Sequence, residues 1–459
     1  MEKAALKQLI DVAAGRQPAD LVLTNARIVD VFSRTIRTGA VAIVNGTVAG
    51  IADHYAGKQE RDLHGYYLLP GLIDSHIHIE SAYVTPEEFG RLFVPHGTTT
   101  IATDPHEIVN VHGLAGLGYM QKAAAKTPLD VHFMMPPCVP STPFETAGAK
   151  LTAADMAPAL TAGSVDGLAE LMNYVGVVNN DDQMLDEVLA AKAAGKRIDG
   201  HAPQLMGKLL NAYAAAGAQS DHECLTVAEA KARLACGMYL MLREGTTEHN
   251  LVDLLGAVTE ANARRCLLVG DDIQAKTVLK QGHLDHSLRL AVASGCDPLL
   301  AIQMATLNAA EYCQLPDRGA IAPGRRADLV VVDDLRKFTV EQTFIQGRLV
   351  ASDGVARFPV TRAATDQVTS SMFVKDFSAA KLALKLTGKP VRTIKVLPGQ
   401  VAAEEEVVTV KHDASGNFVY DPSQDVVKVA GVGRHHQTGR GAVGLLSEYR
   451  VKAGAIASS

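Results

Sequence analysis

Between residues 66 and 271, short apolar runs end repeatedly in a polar, often ionisable side chain, and a helical pattern separates each run from the next. The eight ends lie at His76 to His78, Asp104, Met135, Glu170, His201, His222, Arg243 and Asp271. Their spacing of roughly 20–35 residues is about the length of one βα unit. Eight consecutive units predict an α/β fold with a (β/α)8 barrel, in which parallel strands alternate with helices.

The first of these ends carries the pair His76-Ile77-His78. Side chains alternate along a strand, so the two imidazoles point to the same side. Two adjacent imidazoles can bind a divalent metal ion, although both could also be ordinary polar residues at a strand end. In a (β/α)8 barrel the active site lies at the carboxyl ends of the strands. The pair therefore favours a metal site at that face.

The strand ends together supply the side chains that a two-metal hydrolytic site needs, namely imidazoles, a bridging carboxylate and a carboxylate near the bridging water. The predicted metal ligands are His76, His78, Glu170, His201, His222 and Asp271. Taken singly, His201 could be a loop residue and Asp271 could cap a helix. Imidazole and carboxylate ligands suit Mn²⁺, Fe²⁺ or Zn²⁺. We expect two divalent ions, with Mn²⁺ favoured.

Short strand patterns flank the barrel on both sides. Asn45-Gly46 predicts a hairpin turn between two of the early strands. We expect strands of residues 1–65 and of residues 313–360 to form one small β-sandwich domain around the barrel of residues 66–312. Residues 361–459 are predicted as a third, β-rich domain that is apparently incomplete.

Composition excludes several classes of protein. The chain has 459 residues, of which 47% are hydrophobic, and its net charge of −6 comes from acidic and basic residues that are mixed along the sequence. Neither a nucleic-acid surface nor a membrane patch is predicted. The amino terminus lacks the apolar core of a signal peptide, and the six cysteines are scattered, so we expect a cytoplasmic protein with reduced thiols.

The chain resembles the bacterial adenine deaminases of the amidohydrolase superfamily. The resemblance is carried by Pro70 to Ser81, Pro95 to Thr100, Asp104 to Val111, Gly167 to Asn173, Asp199 to Pro203, Asp221 to Glu223, Arg243 to Gly245, Gly282 to Asp285 and Pro323 to Asp328. The His-x-His pair and the Pro-Gly-x-x-Ala-Asp turn identify the superfamily. The Asp-Pro-His-Glu block from residue 104 and the Glu-Leu-Met-Asn block from residue 170 are specific to this branch.

The resemblance implies a role for each ligand. His76 and His78 would bind one metal, His201 and His222 a second, and Glu170 would bridge the two. Asp271 would bind metal and shuttle a proton, so that a metal-bound hydroxide attacks C6 of adenine and releases hypoxanthine and ammonia. The implied catalytic residues are Asp271, Glu170 and His222, and the implied substrate-binding residues are Glu80, Ser81, Asp104, His106 and Arg243. Two alternatives stay open for the second set: the first four could form hydrogen bonds within their loops, and Arg243 could belong to a buried structural ion pair.

The chain departs from the family pattern in two places. The family usually has Thr-Asp-Asp where this chain has Gly270-Asp271-Asp272, and we expect the first aspartate to face the metal. Family members also usually continue beyond the point that matches Ser459. Relatives with this barrel often self-associate, which implies a homo-oligomer. Two alternatives stay open: a cyclic-amide hydrolase of the same superfamily, and an inactive truncated homologue.

Overall fold

The computed structural model of the protein describes residues 2–142, 144–386, 390–398, 403–451 and 453–456. Within these ranges the strands form four hydrogen-bonded sheets of nine, five, three and four strands. None of the described helices is long and apolar enough to cross a membrane. The last residues of the predicted C-terminal domain, 457–459, lie outside the described residues.

The described residues form 21 strands, 14 α-helices and five short 3₁₀ helices. The strands are β1 Ala19–Asp30, β2 Thr35–Val44, β3 Thr47–Ala52, β4 Gly57–Asp62, β5 Tyr67–Pro70, β6 Leu72–Ile77, β7 Thr98–Thr103, β8 Asp130–Met135, β9 Gly167–Leu171, β10 Arg197–Gly200, β11 Ser220–Asp221, β12 Tyr239–Arg243, β13 Cys266–Val269, β14 Leu329–Val332, β15 Val340–Ile345, β16 Arg348–Ser352, β17 Val355–Ala356, β18 Val391–Val396, β19 Ala403–Val408, β20 Val426–Val432 and β21 Gly441–Ser447. The α-helices are Lys3–Ala13, Pro86–Phe93, His106–His112, Leu114–Ala124, Ala153–Ala162, Tyr174–Val178, Asp182–Ala193, Gly207–Ala216, Val227–Ala235, Leu251–Leu254, Ala275–Gln281, Leu284–Ala293, Pro298–Met304 and Leu307–Tyr312. Short 3₁₀ helices span Glu80–Ala82, Val94–His96, Leu255–Ala257, Ala263–Arg265 and Ala379–Leu382.

The predicted alternation of strands and helices is confirmed from β6 to β13. These strands are all parallel to their neighbours, and they form a five-stranded sheet in the order β10-β9-β8-β7-β6 and a three-stranded sheet in the order β11-β12-β13. The apolar runs are buried on both faces, as parallel strands covered by helices should be. The protein is therefore an α/β protein whose parallel sheet curls, with further β-sheet domains.

Backbone hydrogen bonds connect the two parallel sheets at both of their junctions. The Asp271 amide donates to the His76 carbonyl at 3.0 Å, which joins the end of β13 to β6. At the other junction, the Gln219 amide donates to the Ile198 carbonyl of β10 at 2.9 Å. A backbone hydrogen bond therefore joins the two sheets at each of these places.

The apolar run before the His-x-His pair forms two strands. β5 pairs with β14 in the nine-stranded sheet, whereas β6 pairs with β7 in the parallel sheet. Gly71 alone separates them. A Cβ atom on Gly71 would lie 2.2 Å from Oγ1 of Thr99, so a side chain has no room at this crossing point.

The flanking strands form one nine-stranded sheet, in the order β17-β16-β15-β14-β5-β1-β2-β3, with β4 also paired to β1. The predicted hairpin between β2 and β3 is confirmed, because Asn45 and Gly46 both have positive φ, as a two-residue hairpin turn requires. The sequence predicts two short strands before residue 30, Leu21 to Leu23 and Ala26 to Val29, but the structure has a single strand there. β1 continues through Asn25, where positive φ accompanies a shift of register.

Residues beyond 390 form a separate antiparallel and parallel sheet in the order β19-β18-β21-β20. Its buried core within the described residues is small and consists of Val410, Val426 and Leu445. His436 Nε2 lies 2.7 Å from the Ala147 carbonyl, which connects this sheet to the long loop after β8.

Glu187 on the helix Asp182–Ala193 is a buried acid outside the strand-end cluster. Its Oε1 accepts from Gln183 Nε2 at 3.1 Å, and Oε2 has no hydrogen-bond partner among the described residues. Burial raises the pKa of Glu187 to about 8, above its ordinary value of 4.5. The folded protein therefore retains a proton that the unfolded chain releases, and this group lowers stability as pH rises through that interval.

We expect Glu187→Gln to reduce this loss of stability, because glutamine retains the hydrogen bond to Gln183 and carries no charge to bury. Melting temperatures of both proteins, measured between about pH 5 and about pH 8, test the prediction. The variant should gain stability over the wild type towards the alkaline end. Parallel curves would show that Glu187 does not titrate in this interval.

Candidate metal centre

The six predicted ligands lie together at the carboxyl ends of the parallel strands. They follow or end β6, β9, β10, β11 and β13, and each is buried or nearly so. The nitrogen and oxygen atoms of these residues form overlapping groups that could hold a metal ion: His76, His78 and Glu170; His76, His222 and Asp271; and Glu170, His201 and His222.

Glu170 lies at the centre of the cluster and contacts histidines on both sides. Its Oε2 is 2.8 Å from His201 Nδ1 and 3.2 Å from His222 Nε2. Its Oε1 is 3.7 Å from His78 Nε2. One carboxylate therefore reaches both histidine pairs, which is the geometry of a bridging ligand.

Asp271 faces the first histidine pair. Its Oδ1 is 2.9 Å from His78 Nε2 and 3.4 Å from His76 Nε2. His78 Nδ1 lies 3.0 Å from the backbone carbonyl of Asp104, to which it can donate. That hydrogen bond leaves the Nε2 lone pair of His78 free to bind a metal. Metal-bound histidines commonly donate their other ring N–H to a carbonyl or carboxylate in this way.

Burial and charge act against each other in this cluster. Burial lowers the pKa of His76, but the nearby carboxylates of Asp271, Asp104 and Glu170 outweigh it and raise that pKa to about 9. Burial likewise raises the pKa of Glu170, yet contact with His201 and His222 holds it well below its usual range. The Glu170 carboxylate therefore stays ionised and attracts positive charge to the cluster.

The cluster fits divalent cations by its unsatisfied polar atoms as well. Both ring nitrogens of His76, together with Nδ1 of His222, are buried without a hydrogen-bond partner among the described residues. Buried polar atoms that have no partner cost free energy. Converging imidazole nitrogens and carboxylate oxygens are a donor set that Mn²⁺, Fe²⁺ and Zn²⁺ accept.

The two neighbouring aspartates have different partners. Asp271 faces the histidines, whereas Asp272 accepts a hydrogen bond from the Ser81 hydroxyl, and its carbonyl accepts from the Thr246 amide at 2.8 Å. The hydroxyl hydrogen of Ser81, a predicted substrate-binding residue, is therefore already donated to a protein side chain.

The other predicted substrate-binding residues lie at different depths. Asp104 is fully buried, and its Oδ2 accepts from the backbone amide of Glu170 at 3.0 Å, so it holds the backbone of Glu170 in place. His106 Nδ1 lies 3.2 Å from Glu170 Oε1. Both carboxylate oxygens of Glu80 are buried without a hydrogen-bond partner in the described structure. Burial and then the negative charge of Glu107 raise the pKa of Glu80 to about 7.

Sequence reasoning missed several residues that contact this cluster. Glu223 and Asn250 both bind the guanidinium of Arg243. Asp74 Oδ2 lies 2.8 Å from His283 Nε2 and accepts from the Gly270 amide at 2.9 Å. Glu223 and His283 both lie in segments that carry the family resemblance, but those segments do not show which atoms the side chains meet.

The Asp74–His283 pair also accounts for glycine at position 270. A Cβ atom there would lie 2.9 Å from both Asp74 Oδ2 and His283 Nε2. Gly270, where the family usually has threonine, therefore lies where the backbone after β13 comes close to the side chains of Asp74 and His283.

Comparison with known proteins agrees with this fold and donor set. The amidohydrolase family model matches residues 67–350. The chain belongs to the amidohydrolase family. Solved structures of that fold include beta-aspartyl dipeptidase from Fervidobacterium islandicum AW-1, with a TM-score of 0.56 and 16% identity over 74% of this chain and 98% of that chain. For an enamidase the TM-score is 0.55, with 17% identity over 75% of this chain and 98% of that chain.

Within that family the chain is similar to adenine deaminases, as the sequence motifs predicted. It is 58% identical to an adenine deaminase of Ligilactobacillus salivarius over 100% of this chain and 79% of the relative. It is 51% identical to adenine deaminase 2 of Desulfotalea psychrophila over 100% of this chain and 80% of the relative. The adenine deaminase C-terminal domain model also matches residues 400–459.

Proposed function

We propose that this protein is a metal-dependent hydrolase that converts adenine to hypoxanthine and ammonia. The observation that carries the proposal is the position of Glu170 between two buried histidine pairs, with Asp271 beside one of them. Relatives at 42–58% identity across nearly the whole chain are named adenine deaminases, which supports adenine as the substrate.

We propose that two divalent ions occupy the cluster, with Mn²⁺ favoured over Fe²⁺ and Zn²⁺. His76 and His78 would hold one ion, His201 and His222 the other, and Glu170 both. Ions held there supply Lewis acidity and lower the pKa of water, so that a nucleophile forms near neutral pH. The converging buried imidazoles and carboxylates support this assignment.

The remaining chemistry falls to side chains of the chain itself. Asp271 Oδ1 faces the histidines and would accept the proton of the attacking water, then deliver it towards the departing amine. Glu80 and His106 would contact the purine ring. The partnerless carboxylate oxygens of Glu80 support this role, since a polar substrate edge would satisfy them.

We also propose that the eight parallel strands close into one barrel and that the nine-stranded sheet folds over as a sandwich. Hydrogen bonds at both junctions between the parallel sheets support the closed barrel. For the sandwich, Val48 of β3 and Phe344 of β15 lie far apart in strand order, yet they belong to one buried cluster. We propose the domain limits that the sequence predicts: residues 66–312 for the barrel, 1–65 and 313–360 for the sandwich, and 361–459 for the C-terminal domain.

An assay of ammonia release tests the proposed reaction. The purified protein, stripped with a chelator and reloaded with Mn²⁺, should release ammonia from adenine, with two ions bound per chain. A cyclic amide such as hydantoin, supplied in parallel, distinguishes the main alternative. Ring opening of the amide without ammonia release from adenine would identify a cyclic-amide hydrolase, and bound metal without either reaction would identify a non-catalytic protein.

We expect Glu170→Gln to keep the fold and to weaken binding of metal at both positions. A neutral amide cannot balance two dications, whereas the carboxylate contacts both histidine pairs. Elemental analysis and the ammonia assay measure the effect. Two bound ions with normal turnover in the variant would show that Glu170 is only a structural residue.

A further inference from the structure

Arg243 ends β12 with its guanidinium buried among protein groups. Its Nη1 donates to Glu223 Oε1 at 2.5 Å and to Asp271 Oδ2 at 2.6 Å. Its Nε and Nη2 both donate to Asn250 Oδ1, at 3.2 and 3.1 Å. The side chain is 2% exposed. The guanidinium therefore donates its hydrogen bonds to three residues of the protein. A side chain that binds substrate through these N–H groups would instead keep them free of protein partners.

We propose that Glu223, Arg243 and Asn250 form a clamp that fixes the orientation of Asp271, so that Arg243 is a positioning residue rather than a substrate-binding one. This inference rests on the proposed function, in which Asp271 transfers protons. Arg243 holds Oδ2 of Asp271, which leaves Oδ1 directed at His76 and His78.

The backbone of Asp271 is held at the same time. It adopts the left-handed conformation, with φ of 55°, which is uncommon for a residue other than glycine. Its amide donates to the His76 carbonyl at 3.0 Å, and its carbonyl accepts from the His78 amide at 3.4 Å. Since Arg243 also binds the carboxylate, hydrogen bonds hold both the backbone and the side chain of Asp271.

Asn250 and Glu223 hold Arg243 in turn. The backbone N–H of Asn250 donates to the Arg243 carbonyl at 3.0 Å, and its side-chain Oδ1 accepts from the guanidinium. Asn250 therefore binds both the backbone and the side chain of Arg243. Glu223 Oε1 lies 3.5 Å from His222 Nε2 and 3.8 Å from His201 Nδ1. The clamp therefore connects the Asp271 side of the cluster to the second histidine pair.

The clamp predicts a particular pattern in variant kinetics. Arg243→Lys keeps a positive charge but loses the planar fork that reaches three partners at once. We expect kcat for adenine to fall about 10–100-fold, as for other residues that orient ligands of a metal site. Mn²⁺ affinity should fall by a smaller factor, because Asp271 is proposed to contribute more to turnover than to metal binding. KM should change little. Asn250→Ala should act in the same direction more weakly, because it removes only the support behind the guanidinium.

Arg326→Lys is the matched control, because Arg326 is also largely buried and ion-paired, to Asp130 at 2.7 Å and Asp328 at 2.8 Å, outside the cluster. It should lower the melting temperature without changing kcat or Mn²⁺ affinity. A raised KM with unchanged kcat in Arg243→Lys would overturn the clamp and identify a substrate contact. An unchanged Asn250→Ala variant, or equal losses in the control, would overturn it as well.

Mn²⁺ titration separates this inference from the proposed function. If the wild type fails to release ammonia from adenine, the proposed reaction is wrong, but Mn²⁺ affinities of the same variants still test the clamp. Unchanged affinities in both Arg243→Lys and Asn250→Ala would then overturn it. If Arg243→Lys does not fold, Asn250→Ala decides the question.

Discussion

Replacing either His76 or His78 by alanine is expected to remove metal from the protein and to reduce ammonia release from adenine below detection. In the proposed site each imidazole would supply a buried nitrogen to the first metal position, beside Glu170 and Asp271. Alanine has no metal-binding atom, so either substitution would remove one of the two nitrogen ligands of that position. Elemental analysis of protein purified with Mn²⁺ measures the loss directly.

His132 provides the control for the histidine variants. It lies on β8, outside the cluster, with Nδ1 2.9 Å from Asp166 Oδ2. His132→Ala should therefore keep both ions and its turnover, at some cost in stability. Full metal occupancy in both His76→Ala and His78→Ala would refute their assignment as ligands.

Asp271→Asn is expected to reduce turnover far more than metal binding. A positioned general acid–base group contributes roughly 10²–10⁴-fold to the rate, and an amide cannot accept the proton of the attacking water. Asparagine tolerates the left-handed backbone of this position, so the fold should be retained. The comparison requires kcat, metal content and melting temperature for the variant and the wild type.

The neighbouring Asp272→Asn variant tests whether the correct carboxylate was chosen. Asp272 accepts a hydrogen bond from Ser81, and an asparagine oxygen can accept the same bond. Its kcat should therefore remain close to that of the wild type. A large loss in Asp272→Asn together with a nearly normal Asp271→Asn would reverse the assignment.

The parallel strands could be predicted from sequence because burial on both faces makes each one a short apolar run that ends at a polar residue. This signal located the end of β9 at Glu170 and the end of β13 near Asp271. It failed for β4, whose sequence Gly57–Asp62 is charged and largely exposed, since pairing to β1 comes from the surrounding sheet. It also joined β5 to β6, because Gly71 interrupts the pairing without interrupting the apolar pattern.

The contacts around the cluster could not be predicted, because the sequence does not show how far apart residues from distant segments lie in the folded protein. The ligand types and their order along the chain were sufficient to predict that the six residues converge. Two of the three partners of Arg243, Glu223 after β11 and Asn250 in the turn after β12, were missed, because nothing in the spacing of these segments indicates which atoms meet. The pairing of Asp74 with His283 spans 209 residues for the same reason.

Gly71, the single residue between β5 and β6, connects the nine-stranded sheet directly to the strand that carries His76. Leu68 packs in the core of the nine-stranded sheet, Leu69 belongs to a buried cluster with residues of β12 and β13, and the Gly71 amide donates to the Asp328 carbonyl at 2.8 Å. His76 follows Gly71 by only five residues. Cutting the chain between β5 and β6 to isolate the parallel strands would therefore also release the segment that carries the first proposed ligand, so we expect any disruption of the nine-stranded sheet to weaken metal binding at the cluster.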